Sequence, residues 1–137
     1  MKLAVLGAGD VGGSLLELAG EYGHEVVAVA DSTTAAVDED GLDAAAVLSR
    51  KRNRGGVGSG DVEAALSADY DVLVEATPTT LGDAEPGFSH VRRGLERDRH
   101  VVLANKGPVA ERYADVRALE HERAGEVYFE EIGRAHV

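Results

Sequence analysis

Two short apolar segments of this chain each end in polar, turn-forming residues. The segments and their polar successors are residues 72–76 with Thr77 and Pro78, and residues 100–104 with Asn105 and Lys106. Short β-branched segments of this kind are typical of parallel strands, whose carboxyl ends form the ligand-binding rim of an α/β sheet. The chain has only three lysines. A lysine at such a rim therefore indicates a role in ligand binding or chemistry.

The amino terminus indicates which ligand that rim holds. An apolar segment, Lys2–Leu6, precedes a G-x-G-x-x-G pattern, and a helical pattern continues from it to about Tyr22. In this context the first glycine permits a tight turn, the second lets the backbone approach a pyrophosphate, and the third allows close packing of helix and strand. The helix start supplies free N–H groups for phosphate oxygens. We therefore predict that a dinucleotide is bound by the consecutive residues Gly7, Ala8, Gly9, Asp10, Val11 and Gly12.

The identity of the dinucleotide is left open by two opposing features. Asp31 follows the second predicted strand, at the position of a carboxylate that contacts the adenine ribose and repels a 2′-phosphate. Ser32, Thr33 and a basic, glycine-rich segment (residues 50–60, with its charges at 50–54) could instead hold that phosphate. The first feature favours NAD and the second favours NADP, so the sequence predicts NAD(P) without a preference.

The order of the remaining patterns predicts the fold. Five strands are expected, at Lys2–Leu6, Glu25–Ala30, 72–76, 100–104 and 126–129. Helices are expected after the glycine pattern and at about 42–50, 61–67, 88–97 and 108–124. This alternation predicts an α/β fold, a Rossmann-type doubly wound, mostly parallel sheet. Glu75 falls within a buried strand pattern, where an unpaired charge is costly, and the histidines at 24, 90, 100 and 121 are expected at the surface or at strand edges.

Composition narrows the class of protein. The chain has 137 residues, no cysteine and a formal net charge of −11, from 25 acidic and 14 basic residues. This charge disfavours nucleic-acid and anionic-membrane binding. No apolar segment is long enough to span a membrane, and no metal site is expected. We expect a cytoplasmic protein, and the abundance of acid and scarcity of lysine resemble proteins of salt-loving archaea.

Several motifs together resemble the N-terminal NAD(P)-binding domain of homoserine dehydrogenase. They are Gly7–Gly12, residues 74–79, Glu85-Pro86-Gly87 and Ala104-Asn105-Lys106-Gly107-Pro108. The resemblance implies reduction of L-aspartate 4-semialdehyde to L-homoserine with NADH or NADPH, in threonine, methionine and isoleucine synthesis. It places Thr77 and Pro78 beside the nicotinamide ribose, Asn105 beside the nicotinamide, and Lys106 at the reacting centre. There an ammonium could stabilise the oxyanion that hydride transfer creates. The alternatives are an aspartate or dihydrodipicolinate-type dehydrogenase, or a non-catalytic NAD(P)-sensing module.

The resemblance ends near the carboxyl terminus. We expect a nucleotide-binding domain over residues 1–131, incomplete at its C-terminus, without the substrate and dimerisation domain through which the longer enzyme would form a homodimer. Residues 132–137 are expected to be a non-native tail, because Glu131 to Val137 can be encoded by the start of a common sequencing adapter followed by a stop codon. Because the substrate pocket would be missing, no appreciable turnover is expected from this chain alone.

Overall fold

A computed structural model describes residues 1–77, 82–104 and 107–129, except for the side chains of Asp10, Val11, Val109 and Phe129. Its strands are β1 (Lys2–Leu6), β2 (Glu25–Ala30), β3 (Ala35–Val37), β4 (Val72–Glu75), β5 (His100–Leu103) and β6 (Val127–Phe129). Its helices are α1 (Asp10–Glu21), α2 (Ala44–Arg54), α3 (Val62–Leu66), α4 (Gly87–Glu96) and α5 (Gly107–Glu122).

The strands form one sheet in the order β3-β2-β1-β4-β5-β6. All neighbouring pairs are parallel except β2 and β3. Strand order reverses between β1 and β4, and this is the switch point beside which doubly wound sheets bind their ligands. The predicted doubly wound, mostly parallel α/β fold is confirmed.

Helices cover both faces of the sheet. On one face, α1 and α2 contribute Leu16, Ala19 and Val47 to a cluster with the inward side chains of β1, β2 and β4. On the other face, α4 and α5 contribute Phe88, Val91, Leu95 and Val116. Because both faces are covered, the central strands are continuous apolar runs, which is the pattern that identified them in the sequence.

Two expectations about the segment between β2 and α3 were wrong. The sheet has six strands in the described residues rather than five, because Ala35–Val37 adds an antiparallel edge strand too short to show an alternating pattern. Residues 50–54, expected in a glycine-rich loop, form the end of α2, which has Asp43 as its N-cap and Gly55, in the left-handed conformation, as its C-cap. Helix-forming side chains extend the helix up to the glycine, so the loop begins only there.

The face that carries α1 and α2 is left partly open over β5 and β6. Val102 and Tyr128, paired in register on these strands, are exposed large hydrophobic residues. An apolar groove lined by Leu15 and Leu18 of α1 and by its C-cap residue Tyr22 lies on the same face, over β1 and β4. Part of the apolar surface on this face of the sheet is therefore exposed.

Candidate functional site

Four strands deliver their carboxyl ends to one rim of the sheet. The backbone hydrogen bonds that fix their relative level continue one residue past each strand: Gly7 N to Ala30 O (2.7 Å), Ala76 N to Leu6 O (2.7 Å) and Ala104 N to Glu75 O (2.9 Å). The loops that follow β1, β2, β4 and β5 therefore start side by side. This places the glycine turn, Asp31 and Thr77 at a common edge, as the sequence predicts.

Steric contacts explain two of the three glycines. Gly7 is buried at φ 110°, and a β-carbon there would lie 2.3 Å from the carbonyl oxygen of Ala76 at the end of β4. A β-carbon on Gly12 would lie 1.7 Å from the carbonyl oxygen of Gly7. Any side chain at either position would separate the turn from the helix or from the sheet. These are the tight turn and the close packing that the motif requires.

The second glycine has a different environment. Gly9 is exposed, and a β-carbon built on it meets no atom within 4 Å. It is the N-cap of α1 and supplies no side-chain hydrogen bond to the first turn. The space beside it and a helix start whose N-cap residue has no side chain suit an anionic group such as a pyrophosphate. Ala8 packs partly buried against the α1 side of the core, and α1 begins at Asp10.

Asp31 is held by its neighbours in a closed network. Its carboxylate accepts hydrogen bonds from the backbone N–H groups of Thr33 (2.9 Å) and Thr34 (2.6 Å), from the Thr34 hydroxyl, and from Lys51 Nζ at 2.8 Å. Burial alone would raise the pKa of Asp31, but the Lys51 ammonium and the two N–H groups outweigh it and hold the pKa well below its usual range. The carboxylate is therefore ionised and already neutralised by a lysine.

The sequence contained both partners of this pair but not their pairing. Asp31 was expected to favour NAD and the basic segment around Lys51 to favour NADP. The helical conformation of residues 44–54 brings the Lys51 side chain back to the end of β2, twenty residues earlier in the chain. No local sequence pattern reports this contact, because it depends on how α2 crosses the sheet.

A second buried group lies under Thr77. Glu75, the last residue of β4, has no exposed surface. Its Oε1 accepts hydrogen bonds from the backbone N–H of Thr77, at 2.8 Å, and from the Thr77 hydroxyl. Its Oε2 is hydrogen-bonded to Nδ1 of His90 on α4. The cost of burying this carboxylate is offset by these contacts.

The expectation for His90 was wrong. His90 is buried, whereas His24, His100 and His121 are exposed, as expected. A signal was present in the sequence, because His90 lies one residue before Val91 and four before Gly94 on the buried side of α4. A histidine within an apolar helical face needs a polar partner in the core, and Glu75 supplies it.

The predicted residues Pro78, Asn105 and Lys106, and the side chains of Asp10 and Val11, lie outside the part of the chain that the structure describes. Their roles stay predictions. Among the described residues no group of three or more histidine, aspartate or glutamate side chains could hold a metal ion. No helix in this part of the chain is long and apolar enough to cross a membrane.

Comparison with known proteins shows which family has this arrangement. The model of the Glutamate/Leucine/Phenylalanine/Valine dehydrogenase family matches residues 1–81, which contain the glycine turn, Asp31 and β4. The chain belongs to this dehydrogenase family. The match ends at residue 81, before the Asn-Lys-Gly-Pro block of residues 105–108.

Homoserine dehydrogenases are among the proteins most similar to this chain. The enzyme of Methanocaldococcus jannaschii is 35% identical over 67% of this chain and 30% of its own length. The NAD(+)-dependent homoserine dehydrogenase of Pseudomonas canavaninivorans is 34% identical over 96% of this chain and 42% of its own length. The chain thus spans less than half the length of the curated relatives it matches.

The fold of homoserine dehydrogenase agrees as well. The crystal structure of the enzyme from Thermoplasma acidophilum superposes with a TM-score of 0.85, at 25% identity over 95% of this chain and 43% of that one. Sequence and structure therefore match over nearly all of the chain, including its second half. The resemblance to the N-terminal NAD(P)-binding domain of homoserine dehydrogenase is confirmed, and an aspartate or dihydrodipicolinate-type dehydrogenase or a sensing module is not favoured.

Proposed function

We propose that this chain is the NAD(P)-binding part of a homoserine dehydrogenase that reduces L-aspartate 4-semialdehyde to L-homoserine. The observation that carries the proposal is the glycine turn of residues 7–12, packed on the end of β4 by the contact of Gly7 with Ala76 and followed by an uncapped helix start. Its relatives include two homoserine dehydrogenases, one of them NAD(+)-dependent by name, which match 67% and 96% of the chain.

The cofactor would lie across the switch point of the sheet. The pyrophosphate would bind at Gly9 and the first turn of α1, and the adenine ribose near Asp31. The nicotinamide half would then lie over the ends of β4 and β5, where Thr77, Pro78 and Asn105 are expected to line its binding site. When bound, the cofactor supplies a hydride, and these residues bind and orient its nicotinamide half.

Lys106 is the residue we assign to the chemistry. By its position after β5, its ammonium would stabilise or protonate the oxygen of the aldehyde as negative charge develops there. The substrate contacts would come from a further domain, so we expect the 137-residue chain to bind cofactor without appreciable turnover. The same further domain would provide a homodimer interface.

Titration of the purified chain with NADH and NADPH in high salt, followed by cofactor fluorescence, tests the proposal. Micromolar binding of either cofactor by a chain that unfolds cooperatively is the expected outcome. A folded chain that binds neither would contradict the proposal. Oxidation of homoserine by the 137-residue chain alone would contradict the assignment of the substrate pocket to a further domain.

The setting of the enzyme is proposed from composition and pathway chemistry. We assign it to the cytoplasm, to threonine and methionine synthesis, and to a halophilic host, with no nucleic acid or membrane as partner. The support is the net charge of −11 with only three lysines. We also propose that residues 132–137 are a non-native tail and that residues 1–131 are the nucleotide-binding domain. Sequencing the encoding DNA tests this, because codons that differ from the adapter would exclude it.

A further inference from the structure

Glu75 is unusual among the side chains that fill the sheet. It is the last residue of a central strand, in register with Leu6 on one side and Leu103 on the other, and it is completely buried. A leucine of similar volume would fit this apolar row without any desolvation cost. Replacing buried charged groups by apolar ones is often neutral or stabilising. The demands of the core alone therefore do not explain a carboxylate at this position.

The two oxygens of Glu75 have separate partners. Oε1 accepts hydrogen bonds from the backbone N–H and the hydroxyl of Thr77, which is the second residue after the strand, and Oε2 contacts His90 on α4. Ala76, between Glu75 and Thr77, is the residue whose carbonyl oxygen packs on Gly7. Two contacts therefore fix the path of the chain as it leaves β4. The Ala76 carbonyl group packs on Gly7, and Thr77 is hydrogen-bonded to the Glu75 carboxylate.

The direction that the chain takes after β4 matters for the binding of one half of a dinucleotide. In a doubly wound sheet the glycine turn and the end of β2 contact the adenosine half, and the strands across the switch point contact the other mononucleotide. Thr77 follows β4, which is across the switch point. We propose that Glu75 and His90 are positioning residues, which hold Thr77 in the orientation that the nicotinamide ribose requires. This inference rests on the proposed nucleotide-binding function.

The test separates the two halves of the cofactor. ADP carries the adenosine and pyrophosphate groups alone, whereas NADH adds the nicotinamide riboside. Affinities for ADP and NADH are measured by calorimetry for the wild-type chain and for Glu75→Gln, Glu75→Leu and His90→Gln. Val91→Ala is the matched control, because Val91 is buried on α4 beside His90 but contacts neither Glu75 nor Thr77 by a hydrogen bond.

We expect each of the three variants at 75 and 90 to lose about tenfold in NADH affinity, as for a misplaced hydrogen bond, while ADP affinity stays within about twofold. Val91→Ala should lower the unfolding midpoint without changing the ratio of the two affinities. Variants that keep the wild-type ratio, or lose both affinities equally, would overturn the inference. Loss of cooperative unfolding in all three variants would also overturn it, since the pair would then hold the fold rather than the turn. A folded wild-type chain that binds neither ligand would instead contradict the proposed function.

Discussion

Lys51 Nζ lies 2.8 Å from Oδ2 of Asp31, so the residue expected to repel a 2′-phosphate is neutralised by a residue expected to attract one. The pair has a net charge of zero at the position where the adenine ribose is expected. Discrimination between NAD and NADP therefore depends on the balance of two charges rather than on either alone. Coulomb energies at this separation, in the effective dielectric of a protein surface, are a few kcal/mol.

Changing one member of the pair at a time should move cofactor preference in opposite directions. Lys51→Ala leaves an uncompensated carboxylate and should weaken NADPH relative to NADH by about tenfold or more. Asp31→Asn leaves the ammonium and should favour NADPH by a similar factor. Fluorescence titration of both cofactors measures the ratio. Arg92→Ala, which removes an exposed cation from α4 on the opposite face of the sheet, is the control and should change the ratio little. A Lys51→Ala variant with improved relative NADPH affinity would contradict the charge-balance explanation.

The Asp31 network should also contribute to stability in a pH-dependent way. Its pKa is depressed in the folded state, so the stabilisation is present above the ordinary carboxyl pKa of about 4 and is lost as pH falls through and below that value. Asp31→Asn should lower the free energy of unfolding by about 1.5–3 kcal/mol at pH 7. Urea unfolding should show the difference from wild type shrinking below about pH 4. The exposed Glu21→Gln should show no such trend. If the difference in free energy of unfolding stays constant down to low pH, the effect of Asp31→Asn comes from altered packing rather than from the lost charge.

Three glycines of α1 and its turn should respond differently to the same added methyl group. Gly12→Ala should prevent stable folding or remove nucleotide binding, because its β-carbon meets the Gly7 carbonyl oxygen at 1.7 Å. Gly9→Ala should fold normally and lose affinity for the pyrophosphate, since only a ligand would occupy that space. Gly20→Ala, exposed in the helix with nothing nearby, should stabilise the chain by up to about 1 kcal/mol. Thermal unfolding and ADP titration of the three variants measure both effects, and unimpaired ADP binding by Gly9→Ala would argue against a pyrophosphate there.

The acidic surface should make folding depend on salt. A net charge of −11 repels itself, and screening shortens the range of that repulsion to a few ångströms at about 1 M salt. We expect the unfolding midpoint to rise by several degrees as KCl increases from about 0.1 M to about 2 M. An equal osmolality of sucrose is the control for excluded-volume effects. A midpoint that is unchanged or lower in KCl would remove the case for a halophilic protein.

The sequence predicted best those features that depend on neighbouring residues. The parallel strands Lys2–Leu6 and Glu25–Ala30 and the glycine turn are local patterns, and all appear in the structure where they were expected. What it did not predict depends on crossings between distant elements. Lys51 reaches Asp31 only because α2 packs across the sheet, and His90 reaches Glu75 only because α4 lies under the end of β4. The types of the individual residues do not determine where α2 and α4 cross the sheet. Ion pairs between residues far apart in the sequence can therefore be found only from the three-dimensional structure.

The contact between Gly7 and Ala76 involves main-chain atoms on the β4 side and a residue without a side chain on the β1 side. The two halves of the sheet therefore meet, at this point of the rim, through a glycine and backbone atoms. This contact does not depend on the side chain at position 76. Chimeric chains that join residues up to about 70 of this chain to the later residues of another dehydrogenase of this family should still fold, provided that Gly7 is kept.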